Sequence, residues 1–101
     1  MGGKTDNLID IADPFARRLV GQYLARRKED VANLLVAVES ADFDTVRITG
    51  HNLSGSGAAY GLERISSIGS DLECAADGAD ASRIMQLIAD LDAFLRDLRL
   101  G

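Results

Sequence analysis

Residues 42–61 read DFDTVRITGHNLSGSGAAYG. The apolar and small side chains of this stretch recur every three or four residues, which is the spacing of one face of an α-helix. Asp42 is a residue type that caps a helix N-terminus, and Gly61 is the type that follows a helix C-terminus. The stretch therefore predicts a helix whose buried face carries Phe43, Val46, Gly50, Leu53, Gly57 and Tyr60.

On the N-terminal side, the pair Asp13-Pro14 predicts the start of another helix, since Asp is a good N-cap and Pro fits the first helical position. Its apolar stripe runs from Phe15 to Val38 and is crossed by a charged segment at residues 26–30. We expect either one long bent helix or two helices joined near residues 26–29. The residues before it predict an apolar flap across the end of the bundle, formed by Leu8, Ile9 and Ile11.

On the C-terminal side, two more amphipathic segments predict two more helices. The first runs from Leu62 until Asp77-Gly78 stops it. The second is capped by Asp80 or Ser82. Its apolar stripe consists of Ile84, Leu87, Ile88, Leu91, Leu95 and Leu98. Connections this short place neighbouring helices antiparallel. The sequence therefore predicts an all-α fold, an up-and-down antiparallel four-helix bundle with a short N-terminal helix or flap.

The length and composition indicate one domain. A chain of 101 residues that is 47% hydrophobic can bury a single core, so we expect an N-terminal extension over residues 1–12 and one helical domain over residues 13–100. The complete helical set and the absence of linkers favour a free-standing protein, and the bundle closes its own core, which favours a monomer. No apolar run is long enough to cross a bilayer.

The charge and cysteine content exclude several function classes. Sixteen acidic residues against 11 basic residues give a net charge of −5, spread along the chain, so nucleic acid is not an expected partner. The lone Cys74 cannot form an internal disulfide, and one Cys with one His is too few for a zinc site. These features favour a reducing, cytoplasmic setting, with no metal ligands and no membrane partner.

His51 is the one histidine of the chain, and small residues surround it. Gly50 and Gly57 share the buried stripe, where their size lets another helix approach closely. Gly55 lies four residues after His51 on the outward face, beside Ser54 and Ala58. One turn in the other direction are a cation and an apolar side chain, Arg47 and Ile48. The imidazole is therefore expected to be uncovered.

The spacing His51-x-x-x-Gly55, followed by Gly61-Leu62 and an amphipathic helix to Leu72-Glu73, resembles the signature of histidine-containing phosphotransfer (HPt) domains. The chain length and helix order agree with that family over roughly residues 14–99. In the family, an exposed histidine midway along a bundle helix accepts a phosphoryl group from the aspartyl phosphate of a receiver domain. The resemblance implies that His51 is the phosphorylated residue of a two-component phosphorelay.

The chemistry of an exposed imidazole suits this role. Near neutral pH most histidine side chains are uncharged, and the unprotonated nitrogen can attack phosphorus. No magnesium-binding carboxylate cluster or nucleotide loop accompanies His51 in the sequence. We therefore expect a phosphocarrier and not an enzyme, with no cofactor of its own. The resemblance implies a response-regulator receiver domain, a hybrid histidine kinase or both as partners, the receiver carrying Mg²⁺.

One position departs from the family pattern. The family usually has Lys, sometimes Arg, three residues after the histidine, whereas this chain has Ser54, whose hydroxyl donates a hydrogen bond but carries no charge. We expect Arg47 to serve as the substitute cation, with Ser54 as a second phosphoryl-stabilising residue. The expected docking surface consists of Ile48, Asn52, Gly55 and Ala58. The alternative is an interaction module that binds receivers with weak or no phosphotransfer.

Two enzymatic interpretations fit the residues poorly. Gly55-Ser56-Gly57 with Gly61 has the wrong spacing for a phosphate-binding loop, and no strand precedes it. A Ser-His-Asp triad drawn from Ser54 or Ser56, His51 and Asp44 would lie on a single helix, which cannot readily assemble a triad.

Overall fold

Four helices dominate the computed structural model, which describes residues 8–9 and 12–100, with side chains from residue 12 to residue 98. In chain order the elements are β1 (Leu8–Ile9), α1 (Pro14–Glu39), α2 (Phe43–Ala59), α3 (Glu63–Asp77), α4 (Ala81–Asp97) and β2 (Arg99–Leu100). Each helix packs against its neighbours in the chain, and α1 also packs against α4. The prediction of an all-α, up-and-down antiparallel four-helix bundle is confirmed.

Aspartate side chains cap the N-termini of three of the helices. Asp13 accepts a hydrogen bond from the amide of Phe15 at 3.0 Å, and Pro14 occupies the first helical position as predicted. Asp42 accepts hydrogen bonds from the amide of Thr45 at 3.2 Å and from its hydroxyl at 2.6 Å. These two bonds, the hydroxyl's first, lower the pKa of Asp42 below its ordinary value.

The start of α4 and the continuity of α1 settle two alternatives that the sequence left open. Asp80, and not Ser82, caps α4 by accepting a hydrogen bond from the amide of Arg83 at 3.0 Å. Helix α1 runs unbroken through residues 26–30, so the alternative of two joined helices is wrong.

The three connections between helices share one geometry. Each contains a residue in the left-handed region, namely Ala41 with φ 56°, Gly61 with φ 73° and Ala79 with φ 52°. In each, the following amide bonds back to the carbonyl five residues earlier at 2.7–2.9 Å. This pattern satisfies the last carbonyls of the helix and reverses the chain within three residues. Gly61 follows the helix end as predicted, whereas Gly78 comes one residue before the left-handed position.

The core lies between the four helices and is apolar. Within residues 12–98 no charged side chain is buried. The largest side chains that are completely enclosed are Leu34, Val46, Leu53, Ile65, Ile68, Leu72, Ile84, Leu87 and Leu91. They come from all four helices, at the positions that the apolar spacing predicted. In the described part of the chain, no helix is both long enough and apolar enough to span a membrane.

The two ends of the described chain meet in a short strand pair. Strand β1 pairs in parallel with β2, with Leu8 opposite Arg99 and Ile9 opposite Leu100. The sequence predicted a helix or a flap over residues 1–12 and gave no indication of strands. The rest of that prediction, including Ile11, lies outside the described residues. The pairing is possible because α1 starts and α4 ends at the same end of the bundle.

Candidate functional site

Helices α2 and α3 approach so closely that their backbones touch. A Cβ atom built on Gly50 would lie 2.7 Å from the carbonyl oxygen of Gly69, and one on Gly57 would lie 2.6 Å from the amide nitrogen of Ser66. A Cβ on Gly69 would lie 2.5 Å from the amide nitrogen of Ser54. These distances exclude a side chain at all three glycines. The prediction that Gly50 and Gly57 admit a neighbouring helix is confirmed.

His51 lies midway along α2, with 73% of its side chain exposed. Its Nδ1 atom is 3.4 Å from Oε2 of Glu73 on α3. A carboxylate in this position favours the tautomer with the proton on Nδ1, which leaves the lone pair on Nε2. One turn away, at Gly55, no atom lies within 4 Å of the position that a Cβ would take. The exposed ring therefore lies beside an open stretch of α2.

Arg47, the expected substitute cation, lies one turn before His51 and interacts with two carboxylates. Its Nη2 atom is 3.3 Å from Oδ1 of Asp44, and its Nε atom is 4.0 Å from Oδ1 of Asp77 on α3. The guanidinium therefore already has two anionic partners. A phosphoryl group on His51 would have to compete with them for this charge.

Ser54 lies one turn after His51 and is bonded to α3 in two ways. Its hydroxyl oxygen is 2.9 Å from that of Ser70, and either group can donate. Its carbonyl oxygen accepts a hydrogen bond from the hydroxyl of Ser66 at 2.7 Å. Both contacts depend on the close approach that the glycines allow.

These contacts form two facing rows of side chains, which we call the paired rows. Because the helices are antiparallel, the residue one turn further along α2 faces the residue one turn earlier on α3. The three pairs are Arg47 with Asp77, His51 with Glu73, and Ser54 with Ser70. The row on α3 contributes an acidic group beside the imidazole and a second hydroxyl beside Ser54.

The outer side of His51, away from α3, is the expected docking surface. Ile48 has 53% of its surface exposed, and Asn52, Gly55 and Ala58 are exposed as well. A partner that approaches His51 along this side meets one apolar side chain, one amide and two small residues. The structure thus places all four residues on accessible positions of the same helix.

The opposite side of α2 is attached to α1. The rings of Tyr23 and Tyr60 stack with centroids 4.3 Å apart, and the guanidinium of Arg27 lies 4.3 Å from the centroid of Tyr23. The hydroxyls of Tyr23 and Ser56 are 2.8 Å apart, and Nε of Arg27 is 2.9 Å from a carboxylate oxygen of Asp30. A depression of ≈ 270 Å³ lies here, and the side chains of Tyr23, Ser56 and Tyr60 that line it contact one another. We therefore assign a structural role to the side of α2 that faces α1.

The sequence did not identify the residues on α3 that complete the site. Ser70, Glu73 and Asp77 follow helical spacing on one face of α3, which is a weak signal on its own. Their pairing with α2 depends on the register that Gly69 sets. Among residues 12–98 no group of three or more His, Cys, Asp or Glu side chains is placed to hold a metal ion.

The fold and the paired rows define a four-helix bundle that exposes one histidine between a cation and a hydroxyl pair. No family model, no curated protein and no solved structure matches the chain. The chemistry of the site is therefore the guide to function.

Proposed function

We propose that this chain is a histidine phosphotransfer protein of a cytoplasmic two-component phosphorelay. In this proposal His51 accepts a phosphoryl group from the aspartyl phosphate of a receiver domain and passes it to another receiver. The observation that carries the proposal is the imidazole, which is 73% exposed, has its Nδ1 3.4 Å from Glu73, and lies one turn from the open position at Gly55.

The transfer step requires little from this chain beyond a positioned nucleophile. The lone pair on Nε2 attacks phosphorus, an N–P bond forms, and the P–O bond to the receiver aspartate breaks. The aspartate leaves as a carboxylate with the electron pair of that bond. The proton on Nδ1 stays in place, and the positive charge that develops on the ring is stabilised by Glu73 at 3.4 Å. The reverse sequence passes the group to a second receiver.

The partner supplies what this site lacks. Phosphoryl transfer depends on positioning and on neutralisation of the phosphoryl oxygens, for which a receiver would provide Mg²⁺ and its own catalytic groups. The docking surface is Ile48, Asn52, Gly55 and Ala58, where the small residues allow a protein surface to approach the imidazole. This division of roles makes the chain a phosphocarrier, with a receiver domain, a hybrid histidine kinase or both as partners.

The proposal is tested by transfer from labelled receivers. Receiver domains from the source organism are phosphorylated with radiolabelled acetyl phosphate and mixed with the chain. We expect the chain to gain phosphate that is labile in acid and stable in alkali, as phosphohistidine is. His51→Ala should gain none, and Arg83→Gln, on α4, should label like the wild type. Absence of label with every receiver, or label that survives His51→Ala, would contradict the proposal.

The engagement of Arg47 by Asp44 and Asp77 favours a second candidate, a module that binds receivers without efficient transfer. Under this alternative, a receiver binds the chain, as measured by calorimetry, although no phosphate is transferred. Gly55→Gln should abolish that binding, because its side chain would cover the docking surface, while its Cβ would meet no atom of this chain within 4 Å. Met85→Gln, at an exposed apolar residue on α4, is the matched control and should bind normally.

A further inference from the structure

The hydroxyls of Ser54 and Ser70 form a pair whose geometry leaves one proton free. Their oxygens are 2.9 Å apart, so one hydroxyl donates to the other and the second proton must point elsewhere. Ser66 bonds to the carbonyl of Ser54 and does not occupy its hydroxyl. The pair therefore leaves one O–H without a partner among the described side chains, on Ser54 when Ser70 donates and on Ser70 when Ser54 donates.

The charges around the pair favour a role for this donor. The nearest cation in the paired rows, Arg47, faces Asp44 and Asp77. Glu73 lies beside the imidazole and repels added negative charge. A phosphoryl group on His51 would thus find a carboxylate on one side and a cation that is already paired. The free hydroxyl proton is the donor that no carboxylate in the paired rows engages.

We propose that Ser54 donates its hydroxyl proton to a phosphoryl oxygen on phosphorylated His51, and that Ser70 positions it by donating to the oxygen of Ser54. This inference rests on the proposed phosphorylation of His51. Phosphoryl oxygens only accept hydrogen bonds. Their presence therefore selects the arrangement in which Ser70 donates to Ser54 and Ser54 donates to the phosphoryl group. Successive hydrogen bonds of this kind strengthen one another. Ser70 is accordingly a positioning residue.

The test uses a phosphodonor that needs no partner. Phosphoramidate phosphorylates exposed histidines directly, and ³¹P NMR then follows the decay of phosphohistidine. Negative charge on the phosphoryl group falls as the N–P bond breaks, so a donor to its oxygens stabilises the intact phosphohistidine more than the transition state. Ser54→Ala should shorten the half-life about threefold or more. Ser70→Ala should shorten it by a smaller factor, and Ser70→Thr, which keeps the hydroxyl, should restore it.

The double variant decides whether Ser70 acts through Ser54. Ser54→Ala with Ser70→Ala should decay no faster than Ser54→Ala alone, because the positioning group has nothing left to position. Ser67→Ala, an exposed serine on α3 outside the paired rows, should match the wild type. Circular dichroism establishes that each variant is folded.

The proposal is overturned if Ser54→Ala decays at the wild-type rate, or if the two serine variants shorten the half-life by independent factors. This outcome is distinct from failure of the proposed function. Phosphoramidate labels His51 whether or not any receiver does, so the half-lives are measured even if every receiver fails to transfer.

Discussion

The chemistry of His51 depends on which charges lie within reach of its ring. Glu73 is 3.4 Å from Nδ1, and the guanidinium of Arg47, one turn away on α2, faces two carboxylates. The surroundings of the imidazole are therefore net negative. A phosphoryl group placed there adds like charge, which raises the free energy of phosphohistidine relative to a site with an unpaired lysine. We therefore expect phosphohistidine to be short-lived and its phosphoryl group to be transferred readily.

The carboxylate of Glu73 should speed phosphorylation of His51. It favours the tautomer with a free Nε2 and stabilises the charge on the ring as the N–P bond forms. Because the imidazole is 73% exposed and the carboxylate about one third exposed, solvent screens the pair, and we expect Glu73→Gln to slow labelling by phosphoramidate only about two- to fivefold. The measurement is the initial rate by ³¹P NMR, with Glu63→Gln at the start of α3 as control. A rate equal to or above that of the wild type would refute this role.

The capping carboxylate Asp42 should make stability depend on pH. Hydrogen bonds from Thr45 lower its pKa in the folded state. Its contribution is therefore present above the pKa of the unfolded chain and is lost as the pH falls through the lower, folded value. Asp42→Asn keeps the cap but cannot titrate. Between about pH 6 and about pH 3, the urea midpoint should fall less for Asp42→Asn than for the wild type. For the control Asp97→Asn, the midpoint should fall by the same amount as for the wild type.

At the scale of the elements, the turns and caps were the most predictable part of this chain. Asp13-Pro14, Asp42 and Gly61 mark helix ends because each residue type satisfies a specific backbone need. The unbroken course of α1 was less predictable. Its charged segment reads like a junction, but Arg27 pairs with Asp30 at 2.9 Å, and stacks on Tyr23, so the segment is compatible with a continuous helix.

Helix α3 should not tolerate a larger residue at Gly69, whereas α2 should tolerate one at Gly55. Gly69→Ala would place its Cβ 2.5 Å from the backbone of Ser54 and should destabilise the fold by about 1–3 kcal/mol. Gly55→Ala meets no atom within 4 Å and should stabilise α2 by about 0.5–1 kcal/mol. Both changes in unfolding free energy are measured by urea denaturation. Equal effects would mean that the two helices do not touch as described.

The turn between α3 and α4 should be improved by exchanging two neighbouring residues. Gly78 has φ −90°, which any residue adopts, while Ala79 occupies the left-handed region with φ 52°. The double variant Gly78→Ala with Ala79→Gly should stabilise the protein by about 1–2 kcal/mol. Ala89→Gly, at an exposed position inside α4, is the control and should destabilise it. If the double variant unfolded at a lower urea concentration than the wild type, Ala79 would not be in the left-handed conformation.

Across the bundle, the contacts of α2 with α1 and the chemistry of His51 should be separable by mutation. Ser56 bonds to Tyr23 at 2.8 Å on the side that faces α1, whereas His51 is exposed on the other. Ser56→Ala should cost about 1 kcal/mol of unfolding free energy and leave labelling of His51 unchanged. His51→Ala should abolish labelling and change stability by less than about 0.5 kcal/mol. Loss of labelling in a folded Ser56→Ala protein would mean that the sides are coupled.

The sequence predicted the bundle and the exposure of His51 because both depend on spacing within single helices. It did not predict the α3 half of the site. Whether Glu73 lies beside His51 depends on the register between two helices, and that register is set by contacts of Gly50 and Gly69 that only the packed fold defines. The strand pair was missed for a different reason, since two residues on each side are too few to show alternation.

The backbone contact between α2 and α3 also restricts how this site can evolve. Side chains at an ordinary helix crossing adjust the interaxial distance in small steps when they change size. Where peptide groups touch, no such adjustment exists, so the spacing of the facing pairs is fixed while the residues in them can vary. New partner preferences or phosphohistidine lifetimes would then arise by exchanging functional groups at constant geometry, one pair at a time.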